Sequence, residues 1–68
     1  VVPSTPEDAR GLLAAAVADP DPVLFYEHIA LYRDPRIRQV LDDAAPAPTP
    51  IGVAALRRAG SDLAIISY

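Results

Sequence analysis

The sequence has no cysteine and no tryptophan, a single histidine, and no lysine, so that all six basic residues among its 68 positions are arginine. Without cysteine there can be neither a disulfide framework nor a thiolate metal centre. The three glycines never cluster into a phosphate-cradling loop, and no HExxH or nucleophile-elbow pattern is present. No apolar run approaches the ~20 residues needed to span a bilayer, and no signal-peptide pattern is visible. The net charge of −3 argues against nucleic acid as the main partner. The expectation from these absences is a soluble protein of the bacterial cytoplasm, contacting neither membrane nor nucleic acid. Arginine used without lysine, among many alanines and prolines, fits a GC-rich bacterial genome.

What is present is apolar but small. About half of the residues are hydrophobic (51%), yet many of these are alanine, which buries little area. A core of this size rarely supplies more than ~3–5 kcal/mol, and small scaffolds usually add a disulfide or a metal. The chain opens on Val1-Val2 and closes on Ile65-Ile66-Ser67-Tyr68, inside a β-branched run with no closing turn. These features set the expectation of an excerpt from a longer polypeptide, whose strands are covered by neighbouring elements.

The stretch from Pro3 to His28 organises the chain. Thr5 is placed to cap a helix, Pro6 suits its first position, and Asp8 stands where a capping box wants an acid. Ala9, Leu12, Leu13, Ala16 and Val17 recur at helical spacing. Asp19-Pro20-Asp21-Pro22 stops the helix, because a residue before proline is driven to extended geometry. Val23-Leu24-Phe25-Tyr26 then reads as a buried strand. With Val1-Val2 it completes a strand–helix–strand unit with parallel strands, the sheet facing Leu12, Leu13 and Val17. The fold class is therefore α/β. Glu27 to Arg33 reads as a loop, and Asp34-Pro35 as the start of a helix of about two turns striped by Ile37, Val40 and Leu41. Ala44 to Pro50, AAPAPTP, is an extended linker. Ile51 to Arg58 and Leu63 to Ile66 read as two strands joined across Gly60-Ser61-Asp62. The expected divisions are 1–33, 34–50 and 51–68.

The end of the helix carries the most chemistry. Pro20 has no N–H to give the carbonyl of Ala16, no glycine follows to form a cap, and no basic residue stands in the last turn. Asp19 and Asp21 add negative charge at the negative end of the helix dipole. Carbonyl and carboxylate oxygens are the hard donors that alkali and alkaline-earth ions prefer; water on a solvated acidic loop is the other way to satisfy them. His28 has no second histidine or cysteine beside it and reads as a loop residue. Tyr32, Arg33, Arg36 and Arg38 read as a solvated face or ion-pair partners, Arg57-Arg58 as edge charge, and Ser61-Asp62 as turn chemistry. Asp42-Asp43 lacks metal-ligand spacing. No residue forms a catalytic centre.

VVPSTPEDARGLLAAAVADPDPVLFYEHIALYR resembles the pattern VV-PST-P-DAKGLL-AAIRD-DPV-FLEH-LYR. That pattern belongs to the beta subunit of the thiamine-diphosphate-dependent 2-oxo acid dehydrogenases. IGVAALRRAGSDLAIISY is similar to the PLGKA-V-REG-DVTIVSYG segment of the same family, whereas 34–50 has no close counterpart. The resemblance implies that residues 1–33 close a transketolase-like pyrimidine-binding domain and that 51–68 open the carboxyl-terminal transketolase domain. It implies an enzyme that decarboxylates a 2-oxo acid on thiamine diphosphate and magnesium and passes the acyl group to a lipoyl arm. Both cofactors would lie outside this segment, which would serve as scaffold and subunit interface. The implied partners are an alpha subunit or portion, a second beta subunit and a lipoyl-bearing acyltransferase. Some members bind potassium at A-I-x-D-x-N; the matching residues here are Ala16, Val17, Asp19 and Asp21, acting mainly through main-chain carbonyls. The rival expectations are another thiamine-dependent transketolase-like enzyme, or a non-catalytic module that docks a partner by strand addition.

Overall fold

The computed structural model describes all 68 residues and contains one α-helix, α1 (Pro6–Ala18), followed by two 3₁₀ turns at Ile29–Arg33 and Pro35–Ile37. The start of α1 follows from its sequence. Thr5 is the N-cap, in extended geometry, and its hydroxyl accepts from the Asp8 amide at 3.2 Å. The same hydroxyl donates to the Asp8 carboxylate at 2.8 Å, and Ser4 donates to it at 3.1 Å. Pro6 occupies the first turn, where a missing N–H costs nothing. At the other end Asp19 adopts extended geometry, as a residue before proline should, and its amide closes the last turn onto the Ala15 carbonyl at 3.0 Å.

Val1 and the segment after α1 come together in one parallel-type pair. The Val1 amino group donates to the Leu24 carbonyl at 2.6 Å, and the Tyr26 amide donates to the Val1 carbonyl at 2.9 Å. One residue bonded to both neighbours of Phe25 is the alternation of a parallel ladder. The pair does not extend into a sheet.

The remaining chain folds back over α1. The Arg10 guanidinium donates to the Asp42 carbonyl and carboxylate, each at 3.0 Å, and to the Ala44 carbonyl. Gln39 accepts from the Glu7 amide at 3.0 Å through its side-chain oxygen. The proline-rich segment then crosses the helix at Gly11, where the Thr49 amide donates to the Gly11 carbonyl at 3.1 Å. Arg57 reaches Ser4 and the Asp8 carboxylate.

Several expected elements take another form. The helix expected after Asp34 is a single 3₁₀ turn, capped by Asp34 as anticipated but ended at Arg38, with Val40 fully exposed. An apolar stripe with nothing to pack against cannot carry a short helix. Glu27–Arg33, read as a loop, contains a 3₁₀ turn that His28 caps by accepting from the Ala30 amide. Neither 51–58 nor 63–66 forms a strand. Ile51-Gly52 is a turn in which Gly52 takes φ 86°, a conformation few other residues adopt, and Ile65 and Ile66 are exposed. Two short runs without a third strand or a covering helix do not hold a hairpin. Leu13 and Val17, expected to face a sheet, are 52% and 80% exposed.

No hydrophobic side chain is fully buried. Pro3 and Gly11 alone are buried. The accessible surface is 6209 Å², where a compact chain of this mass exposes about 4,100 Å². The radius of gyration is 13.2 Å against about 11 Å for a compact globule.

Removing the cap should weaken α1 directly. In the full-length polypeptide, Thr5→Ala is expected to cost about 0.5–2 kcal/mol, read as a lower thermal midpoint. Partial burial pushes the Asp8 carboxyl up, but the Thr5 and Ser4 hydroxyls and the Arg57 guanidinium together outweigh it and hold it below the ordinary value. A depressed carboxylate stabilises the fold above its unfolded pKa of about 4 and loses that contribution as pH falls through the folded value. Asp8→Asn should therefore flatten the acid limb of stability as pH falls below the ordinary carboxylate value of about 4.

Candidate functional site

The structure brings two sets of chemically active residues together. The first is the carboxyl end of α1. The Ala16 carbonyl faces Pro20, which has no N–H to offer, and the Ala18 carbonyl likewise faces Pro22. The Asp21 amide, which could have served Val17, donates instead to the Asp19 carboxylate at 2.9 Å. Three successive carbonyl oxygens thus lack amide partners, and the last turn has no basic residue. This is an oxygen-only donor set. It suits an alkali cation and does not suit a transition metal, for which no group of three or more histidine, cysteine, aspartate or glutamate side chains is present. Ala16 and Val17 lie in the last turn of α1, Asp19 is its C-cap, and Asp21 lies two residues beyond.

The second is a cleft of about 280 Å³ between the start of α1 and the two 3₁₀ turns, lined by Pro3 to Pro6, Ala9, Glu27, His28, Leu31 to Asp34 and Ile37 to Gln39. Its charges are partly self-satisfied. The Tyr32 hydroxyl donates to the Glu27 carboxylate, and this bond raises the Tyr32 pKa above its ordinary value. Asp34 receives the Arg36 guanidinium at 2.6 Å and the Arg36 amide at 2.9 Å. These contacts, the guanidinium first, bring its carboxyl down to about 2. Arg33 and Arg38 line the cleft without a carboxylate partner.

Of the other residues weighed from the sequence, Arg57 pairs with Asp8 and Asp42 with Arg10, while Ser61 bonds only its neighbour Asp62. Sequence reasoning missed the crossing of 42–50 over Gly11. One sign of it was available: a glycine among alanines and leucines costs a helix about 1 kcal/mol, which a close backbone approach explains.

Nor is the amino end of α1 free for a phosphate. Its amides are taken by Thr5 and Gln39, and the Asp8 carboxylate lies beside them. The amino end of α1 therefore does not fit the diphosphate of thiamine diphosphate, and no group of three or more histidine, cysteine, aspartate or glutamate side chains is present to hold magnesium.

The chain matches curated proteins along its whole length. It is 50% identical over 68 residues to the 2-oxoisovalerate dehydrogenase subunit beta of Bacillus subtilis, covering all of this chain and 20% of that protein. It is 47% identical over 68 residues to the pyruvate dehydrogenase E1 component subunit beta of the same organism, again covering 20% of it. It is 46% identical over 68 residues to the 3-methyl-2-oxobutanoate dehydrogenase subunit beta of Mycobacterium tuberculosis, of which it covers 18%. The chain thus spans about one-fifth of the length of these relatives. No family model matches it. No solved structure matches it.

Replacing Glu27 by glutamine removes the negative acceptor at the Tyr32 hydroxyl. Glu27→Gln should move the Tyr32 titration down towards the ordinary value of about 10, read by tyrosinate absorbance against a Tyr32→Phe control. An unmoved titration would show that the Tyr32–Glu27 bond does not form in solution.

Proposed function

From its relationship, along the whole of its length, to the beta subunits of 2-oxo acid dehydrogenases, we propose that this chain is a segment of such a subunit. The full polypeptide, working with an alpha partner, decarboxylates a 2-oxo acid on thiamine diphosphate and hands the acyl group to a lipoyl-bearing acyltransferase. The observation that carries this reading is the 46–50% identity across all 68 residues. The role of the segment is structural. It closes a transketolase-like pyrimidine-binding domain with residues 1–33, passes through 34–50, and opens the next domain at 51. One feature supports that role: apolar side chains left uncovered, which neighbouring elements and a second beta subunit would bury.

The same reading extends to the carboxyl end of α1, where the free carbonyls beside Asp19 and Asp21 would hold potassium. The ion would neutralise the two acids and the negative end of the helix dipole together.

Two measurements test these statements. Full-length polypeptide purified with its alpha partner, thiamine diphosphate and magnesium should release carbon dioxide from pyruvate or 3-methyl-2-oxobutanoate. Inertness towards every 2-oxo acid tried would overturn the enzyme reading. Separately, potassium should raise the melting temperature of the intact subunit more than equal sodium does, and an equal response to the two salts would remove the ion site.

A further inference from the structure

We propose that the proline-rich segment is a fixed clasp on α1 rather than a free tether, and that Gly11 is the positioning residue that lets it close. The proposal rests on the reading of residues 51–68 as the start of a second domain, because a clasp matters when it sets how two domains sit.

The contact is made by backbone. Thr49 donates its amide to the Gly11 carbonyl at 3.1 Å, although that carbonyl already lies within the helical hydrogen-bond ladder. Such an approach leaves no room for a side chain. A Cβ on Gly11 would collide with the Thr49 hydroxyl and lie 3.2 Å from both the Thr49 Cβ and the Ala47 carbonyl oxygen. Only the hydroxyl could swing away; the Ala47 carbonyl belongs to a stretch stiffened by prolines at 46, 48 and 50. The approach to the crossing is fixed independently. Arg10, one residue before Gly11, bonds the Asp42 carboxylate and carbonyl at 3.0 Å each and also the Ala44 carbonyl. Beyond the crossing, Arg57 returns to the Asp8 carboxylate on the same helix. Tethers before, at and after the prolines hold the exit of the segment in one place relative to α1.

The composition of the segment makes the test direct. Between Ala44 and Ile51 the prolines carry no N–H, so few amides exchange there, and those of Ala45 and Ala47 have no partner. In the full-length subunit, the Thr49 amide is expected to exchange about tenfold or more slowly than that of Ala47, once intrinsic rates are divided out. Gly11→Ala should abolish this protection while leaving the circular dichroism of α1 intact, since alanine is the better helix former. Should that variant fail to fold, Arg10→Gln, which removes only the neighbouring tether, should still speed Thr49 exchange measurably. A Thr49 amide that exchanges as fast as Ala47 in the unaltered protein, or protection undiminished in both variants, would overturn the clasp. Decarboxylase activity does not enter this readout, so failure of the enzyme reading and failure of the clasp are told apart.

Discussion

The capped amino end of α1 is the constraint on which the rest of the structure depends. A 13-residue helix is marginal alone in water, because nucleation is costly and stability normally comes from a packed face. Here no apolar face is buried, so the ends must do more. Thr5, Ser4 and Asp8 form a compact polar knot at the first turn. With the helix fixed from that end, Glu7, Asp8, Arg10 and Gly11 present a row of donors and acceptors to residues more than thirty positions away. Apart from the Val1 pair with Leu24 and Tyr26, the long-range hydrogen bonds all end on these residues or on Ser4 just before them. Loss of the cap would release the later chain as well as the helix.

Local chemistry was legible in the sequence and long-range placement was not. Thr5, Pro6 and Asp19 punctuate α1 as their types predict, because capping and the proline constraint act within a few residues. Asp34-Pro35 opened a turn for the same reason, but the extent of that turn depended on packing for Ile37, Val40 and Leu41 that the chain does not provide. The runs at 51–58 and 63–66 failed as strands on similar grounds. β-propensity measures fit to a half-buried pleated surface, and no such surface faces them here. The crossing at Gly11 lay beyond any periodicity argument. Its trace was a single residue that local propensity disfavours, which is where a tertiary contact overrides a local rule.

At the carboxyl end of α1, covalent chemistry and the fold each leave main-chain carbonyls without amide partners. Proline at 20 and 22 removes two donors by covalent chemistry alone. The structure adds what the letters could not, that the one remaining amide, on Asp21, turns to the Asp19 side chain and leaves Val17 unserved as well. The acids are therefore not interchangeable. Asp19 is committed to shaping the turn through one carboxylate oxygen, whereas Asp21 contributes its main-chain amide to that turn and leaves its own carboxylate free.

The exposed surface bears on what must surround the segment. The chain shows roughly 2,000 Å² more than a compact chain of its mass, taking 6209 Å² against about 4,100 Å². Within that surface lie Leu13 and Val17 on α1, Leu24 and Tyr26 beside the parallel pair, and Ile65 and Ile66 near the end of the chain. An excess of this size matches a permanent interface rather than a transient encounter, which buries less than about 1,200 Å² in all. The backbone argues the same way. Eighteen main-chain hydrogen bonds are made, where a globular chain of this length makes about 45. A neighbour that met only the apolar side chains would leave the extended amides and carbonyls of 51–68 wanting. A surface that completed this chain would therefore have to supply strand edges as well as apolar contacts.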